Sequence, residues 1–227
     1  MTRRSWPARI ARLLAIGLLS LVAGSVTIVA IFRWLPVPVT SFMIQDEGRT
    51  AHDWVPWPEI SKQAAIAVIA AEDQHFLGHG GFDFKAIDKA WTDAKRGRRL
   101  RGASTISQQV AKNLFLWPGQ NWLRKGLEAW FTLWIEWLWP KQRILEVYLN
   151  SAEFGRGVWG VEAASRHFFR KPAARLNRHE AALLAAVLPS PKRFRVDRPS
   201  PYVQQRQAWI MRQMSMLGGV RLLDSLD

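Results

Sequence analysis

Cysteine is absent from the 227 residues. That excludes a disulfide scaffold, a zinc–thiolate centre and a cysteine nucleophile together. It fixes no compartment, since a cysteine-free chain tolerates either redox regime. Acidic residues are scarce beside basic ones: 18 Asp and Glu face 32 Lys and Arg, a net charge of +14. Such an imbalance requires an anionic partner, whether nucleic acid, phospholipid or a phosphorylated substrate. Tyrosine is rare, two against thirteen tryptophans. Internal repeats and low-complexity tracts are missing, and apolar residues make up 48% of the chain, which excludes a disordered polymer.

Charge itself is missing from Leu13 to Phe32, a run reading LLAIGLLSLVAGSVTIVAIF. As a helix it spans about 30 Å, the hydrocarbon thickness of a bilayer. Arg3, Arg4, Arg9 and Arg12 precede it, and no acidic residue occurs before Asp46. The positive-inside tendency then places the N-terminus in the cytoplasm and the remainder across the membrane. A cleaved signal peptide competes: Ala23-Gly24-Ser25 offers a small-residue site, but seven more uncharged residues follow it. A buried core helix also competes, although core helices rarely run so far without a charge. In a bacterium the preferred reading is a single-pass inner-membrane protein with its domain in the periplasm. The expected plan is a cytoplasmic terminus over 1–12, an anchor over 13–33, a linker over 34–57 opened by Trp34, Pro36 and Pro38, and a folded domain over 58–227.

From residue 58 the apolar spacing is helical nearly everywhere, so the expected fold class is all-α with strand content close to nil. Helices are expected over about 58–76, 84–95, 104–115, 122–139, 140–150, 158–169, 178–188 and 202–217. Residues 39–55 are the expected place for a short strand or irregular segment.

Three segments carry candidate chemistry. Glu72 falls near the C-terminus of a strongly apolar helix, where burial and the helix dipole both favour a protonated carboxyl. A raised pKa suits a general acid or base, with Phe76 and His79 following on the same face. The plain alternative is an exposed helix-end carboxylate beside a glycine stop. In the second segment Ser104 is a natural N-cap, so unpaired N–H groups point toward a loop, residues 95–101, with five basic residues in seven. Ser104, Gln108 and Lys112 then line one helical edge as hydroxyl, amide and ammonium, a combination suited to a sugar-linked pyrophosphate. A capped surface helix beside a solvated charge run is the bland reading. In the third, Arg124 and Glu128 stand one turn apart, which fits a simple ion pair. Glu128 is also the only carboxylate before a long apolar stretch, where it needs a cation, a proton or a metal. The same helix, apolar through Trp137, Leu138 and Trp139, reads from its own composition as the buried central helix, with contact to lipid as the other possibility.

Taken in order, these segments resemble the biosynthetic peptidoglycan glycosyltransferases of family 51. The resemblance rests on E-D-x-x-F-x-x-H-x-G-x-D at Glu72–Asp83, G-x-S-T-x-x-Q-Q-x-x-K-N at Gly102–Asn113 and R-K-x-x-E at Arg124–Glu128. It continues through K-x-x-I-L-E-x-Y-L-N at Lys141–Asn150, Gly160-Val161-Glu162-Ala163-Ala164, and E-A-A-L-L-A-A-x-L-P at Glu180–Pro189. Departures are small: Ser107 stands where threonine is expected, His167 for tyrosine and Ser190 for asparagine. The resemblance implies a lysozyme-like helical head with a smaller membrane-facing jaw, and polymerisation of lipid II into glycan with release of undecaprenyl pyrophosphate. It implies Glu72 as the base for the acceptor sugar 4-hydroxyl. Glu128 becomes the second carboxylate, assisting at the diphosphate or holding a divalent cation such as magnesium or manganese there. Lys112, Arg124, Lys125 and Lys141 become pyrophosphate-binding cations, Ser104, Gln108 and Asn113 substrate-lining groups, and Asp73 an orienting residue. The Trp-rich region 117–139 is then expected to touch the bilayer interface.

Expected partners are lipid II, the growing glycan, membrane lipids and other cell-wall synthesis or division proteins. Nucleic acid is excluded by topology. S-x-x-K and K-T-G elements of a transpeptidase do not occur, so the expectation is a monofunctional enzyme. The rivals are a lysozyme-like hydrolase or lytic enzyme, which leaves the Lys/Arg constellation without a purpose, and an inactive basic scaffold.

Overall fold

The computed structural model describes residues 6–46, 48, 50–95, 104–119 and 121–226. Arg3, Arg4 and all of the basic loop beyond Lys95 lie outside the described residues. In chain order the elements are α1 (Trp6–Phe32), α2 (Ser41–Ile44), β1 (Ala51–His52), α3 (Lys62–Glu72), α4 (Phe84–Lys95), α5 (Ile106–Phe115) and α6 (Trp122–Leu138). There follow α7 (Lys141–Ser151), β2 (Glu153–Gly155), β3 (Val158–Trp159), α8 (Val161–Phe169), α9 (Arg178–Val187) and α10 (Pro201–Met216).

The protein is mostly helical with little strand, as its periodicity predicts, and β1 falls within residues 39–55, the expected place for a short strand. Three very short strands form a sheet in the order β1-β3-β2, with β1 parallel and β2 antiparallel to β3. Those strands fold part of the expected linker into the domain. Ala51 and His52 pair with Val158 and Trp159, and the Asn150 side chain accepts from Val55 N at 3.0 Å and donates to Val55 O at 2.9 Å. Thr40 caps α2, which packs on α5. Gly160, just before α8, has φ +83°, and a Cβ there would lie 2.9 Å from Asn150 O, so only glycine permits this approach.

Helix α1 exposes Leu13, Leu14, Leu18, Leu19 and Leu21 along its length. It is long and apolar enough to cross a bilayer, and almost none of it is buried against the rest of the protein, which removes the core-helix alternative. Its last turns dock on α6. Trp130 Nε1 donates to Ser25 Oγ at 3.1 Å, Trp139 Nε1 to Val29 O at 2.8 Å, and Arg33 to Leu138 O at 2.5 Å.

The core is built around α3. Ser61 caps it, and every residue from Ala64 to Ala70 is buried, as befits a helix apolar on all sides. It packs against α9 and α10, while α5 is held between α6 and α7. Helix α6 is inverted relative to an ordinary core helix. Its buried face carries Arg124, Glu128, Thr132 and Ile135, while Trp122, Leu123, Leu133 and Trp137 face outward, Trp122 at 92% exposure. The reading of α6 as the buried central helix is therefore wrong: polar groups turn inward, and Trp122, Leu123, Leu133 and Trp137 are left uncovered among the described residues.

Candidate active site

Helix α3 ends at Glu72, not near Phe76. Asp73 leaves helical geometry at φ −159°, ψ 76°, and Phe76 belongs to a separate turn, so Phe76 and His79 do not continue Glu72's helical face. Ending there turns the Glu72 carboxyl into a cleft of about 400 Å³, shared with Asp73, His75, Asp83, Lys85, Ser104 and Thr105 among others. The carboxyl is 15% exposed. Oε2 accepts from Gln109 Nε2 at 2.9 Å, and Oε1 lies 3.4 Å from an Arg206 guanidinium nitrogen. Burial pushes its pKa above the ordinary glutamate value, while the Gln109 hydrogen bond and the charges of Arg206 and Lys112 restrain the rise.

The orientation of Gln109 follows from its other end. Tyr148 OH donates to Gln109 Oε1 at 3.3 Å. Tyr148 is buried and its pKa is pushed well above 10, so its hydroxyl keeps the proton it donates. The amide N–H of Gln109 is thereby left for Glu72.

Asp73 ties this turn to the next helix. Its carboxylate accepts from Ile106 N at 3.0 Å and from His79 Nε2 at 2.9 Å, while His79 Nδ1 accepts from Gly81 N, which makes His79 a neutral Nε2–H tautomer. Thr105, not Ser104, caps α5. Its hydroxyl accepts from Gln108 N and the Gln108 side chain accepts from Thr105 N, a reciprocal capping box. The expected Ser104 cap is therefore replaced by its neighbour, and Ser104 remains exposed on the cleft wall. Gln108 is 4% exposed and spent on the cap, so it does not line the cleft.

Lys112 does not line that cleft; its ammonium lies 5.3 Å from the centre of the Phe42 ring. Burial lowers its pKa, opposed by the fields of Glu128 and Glu72 and reinforced by Arg124 and Lys125. One ammonium thus senses both carboxylates and both neighbouring cations. Arg124 and Lys125 are gathered by Glu128, at 3.0 Å and 2.5 Å respectively. Arg124 is 8% exposed, and its Nε is buried with no partner among the described residues.

Both oxygens of Glu128 are engaged by cations, and no group of three or more His, Cys, Asp or Glu able to hold a metal occurs among the described residues, so Glu128 is not part of an all-protein metal cage. Two further expected substrate groups are placed elsewhere. Lys141 donates to His79 O at 2.7 Å and Glu136 at 2.8 Å, bracing the turn beneath Phe76. Asn113 is buried, with Nδ2 3.4 Å from Ser151 O. The structure thus brings together Glu72, Lys112, Arg124, Lys125 and Glu128, keeps Ser104 at the cleft, and withdraws Gln108, Asn113 and Lys141. It adds Gln109 and Arg206. Gln109 could be found by noticing that T-x-x-Q turns Gln108 back on the cap. Arg206 stands in a polar stretch of α10 with no local signal.

The domain is thus mostly helical, with a buried carboxyl, Glu72, and a buried Arg124–Glu128 pair whose charges both reach Lys112. Residues 40–215 match the transglycosylase family model, and the chain belongs to that family. Relatives named biosynthetic peptidoglycan transglycosylase include a Pseudomonas putida protein, 53% identical over 95% of both chains. One from Pseudomonas aeruginosa is 55% identical over 89% of this chain and 91% of its own. Another from Aeromonas hydrophila is 52% identical over 95% and 96%.

Proposed function

We propose that the protein is a peptidoglycan glycosyltransferase that polymerises glycan strands from lipid II. Glu72 takes the proton of the acceptor sugar 4-hydroxyl. The oxygen attacks the anomeric carbon of the donor chain from the face opposite the leaving group, the C–O bond to phosphate breaks, and undecaprenyl pyrophosphate departs with inversion. Lys112, Arg124 and Lys125 hold the diphosphate and stabilise the negative charge that grows on it, an electrostatic contribution realised most fully in the transition state. Glu128 acts by holding Arg124 and Lys125 in place. Gln109, Arg206 and Asp73 fix the orientation of Glu72 and its turn.

One observation carries this reading: the Lys112 ammonium feels the charges of both Glu72 and Glu128, which supports a base and a diphosphate clamp acting on one substrate. The unpaired Nε of buried Arg124 supports an anionic ligand there, since a buried donor without a partner is costly. The docked end of α1 and the outward tryptophans of α6 support a domain seated on the periplasmic face of the inner membrane, where a lipid-linked substrate is found.

Purified protein incubated with lipid II should yield polymer, and with intact sacculi should release no muropeptides. Release without polymer would establish the hydrolase instead. An EDTA arm reports whether a divalent cation accompanies the diphosphate.

A further inference from the structure

A second concavity, of about 700 Å³, lies between the β2–β3 turn, the end of α8 and the loop after α9. It shares no lining residue with the cleft at Glu72. Its size is that of a small-ligand pocket. Arg156, Arg170, Lys192 and Arg195 supply its cations, Asp197 its one carboxylate, and Phe168 and Phe194 an apolar floor. Arg195 is neutralised by Asp197, at 3.0 and 2.5 Å, and Lys192 is shared between Asp46 and Glu153. The side chains of Arg156 and Arg170 make no hydrogen bond or ion pair among the described residues, although the Arg156 charge is felt by Asp46 and Glu153.

Arg170 adds a second observation. It closes α8 in the left-handed conformation, φ 59° and ψ 32°, and is the one non-glycine residue with positive φ among those described. Glycine or asparagine takes that position with less strain, so a long cation is kept at the pocket rim against backbone preference.

We propose that this pocket binds the carboxylates of a peptide, namely the stem peptide of the disaccharide-peptide substrate. The identity of the ligand rests on the glycan-polymerising reading above. Two guanidiniums without a hydrogen-bonded partner recognise carboxylates through paired hydrogen bonds, and the phenyl floor accepts aliphatic side chains between them. The pocket is also within reach of the diphosphate clamp. Lys192 Nζ lies 3.1 Å from Asp46, two residues beyond α2, whose Phe42 covers Lys112. An extended peptide covers about 3.3 Å per residue, so a few residues bridge one short helix. Lipid headgroups fit less well. The chain leaving α1 meets the start of α7, where Arg143 Nε donates to Phe32 O at 3.1 Å, whereas the pocket lies past the other end of α7, about 16 Å along its axis.

The test titrates the full chain in micelles with a free stem peptide carrying unblocked carboxylates. Binding should saturate, and Arg156→Gln/Arg170→Asn should weaken it about tenfold or more, with Arg156→Lys/Arg170→Lys recovering part of the loss. Asparagine tolerates the left-handed turn, so the fold is kept. In polymerisation, the wild type should show a lower KM for lipid II with free carboxylates than for its amidated form, and the Gln/Asn variant should erase that difference. A flat wild-type titration, or equal weakening toward free and amidated peptide, overturns the proposal. So does a flat titration combined with variant-dependent binding to anionic vesicles, which assigns the pocket to headgroups. Peptide binding without any polymer removes the glycosyltransferase reading and leaves the pocket assigned, whereas polymer without peptide binding does the reverse.

Discussion

Glu72 is held between opposing influences: burial raises its pKa, and Gln109, Arg206 and Lys112 hold the rise in check. Removing one restraint should therefore be visible in a pH profile. Arg206→Gln withdraws a cation that favours the charged form, so the acid limb of kcat/KM should move to higher pH. The alkaline limb should be set by Lys112, whose pKa burial lowers, and should fall below the ordinary lysine value of 10.5. An acid limb that stays put in Arg206→Gln would remove that residue from the environment of the base. The cation cluster offers a separate test by stability. Glu128→Gln leaves Arg124 buried without its counter-charge and should cost about 3 kcal/mol in urea unfolding. Lys125, whose side chain is 46% exposed, should cost less than about 1 kcal/mol as Lys125→Ala while still weakening turnover. Equal losses for the two would contradict the assignment of Glu128 as the anchor of a buried pair. At this scale Glu72 and Glu128 stood out because charge in an apolar helix is conspicuous. Lys112 was read from a polar edge with Ser104 and Gln108 that the structure does not keep, since Gln108 is spent on the Thr105 cap. Arg206 was not legible, because its partner is 134 residues away along the chain.

Helix α6 shows how an element can satisfy a periodic pattern with its sides exchanged. Its Trp and Leu residues have helical spacing whichever way they face, so periodicity alone could not assign the buried side. The inward face is settled by tertiary demands: Thr132 Oγ1 donates to Glu128 O, and Gly81, at φ +89°, brings the 79–83 turn close enough that a Cβ would lie 2.7 Å from the Thr132 methyl. The outward face makes a labelling prediction that the cysteine-free chain allows without background. Leu133→Cys and Trp137→Cys should resist a water-soluble maleimide in bilayers, while Asp224→Cys, on an exposed turn, should react readily. Similar labelling at all three positions would contradict contact between α6 and lipid. Of the short sheet, β1 falls in the segment expected to hold a short strand, whereas β2, β3 and their pairing were hidden for a different reason. Strands of two or three residues have too few alternations to register, and β1 is joined to β3 across more than a hundred residues of chain.

At the scale of the molecule, an anchor, an apolar helix face and a polar cleft are arranged around one substrate that is part lipid and part sugar. Helix α1 is fastened to α6 through Trp130, Trp139 and Arg33, and α6 carries Arg124 and Glu128, of the proposed diphosphate clamp, on its buried side. The proposed clamp is thus held at a fixed depth relative to the anchor. Motif spacing exposed the helical architecture and the order of the site segments. It could not show that residues 40–57 belong to the domain, since their ties to Asn150 and β3 are long-range. The central claim is that Glu72 moves the proton, and the direct measurement is glycan polymerisation by Glu72→Gln beside its thermal melt. A buried carboxyl with a raised pKa contributes stability only while protonated, and that contribution is lost as pH rises through the folded-state value. The variant should therefore melt at or above the wild type at neutral pH, while its kcat/KM for lipid II falls about 10²–10⁴-fold. Polymer formed at the wild-type rate by a folded Glu72→Gln protein would contradict the account.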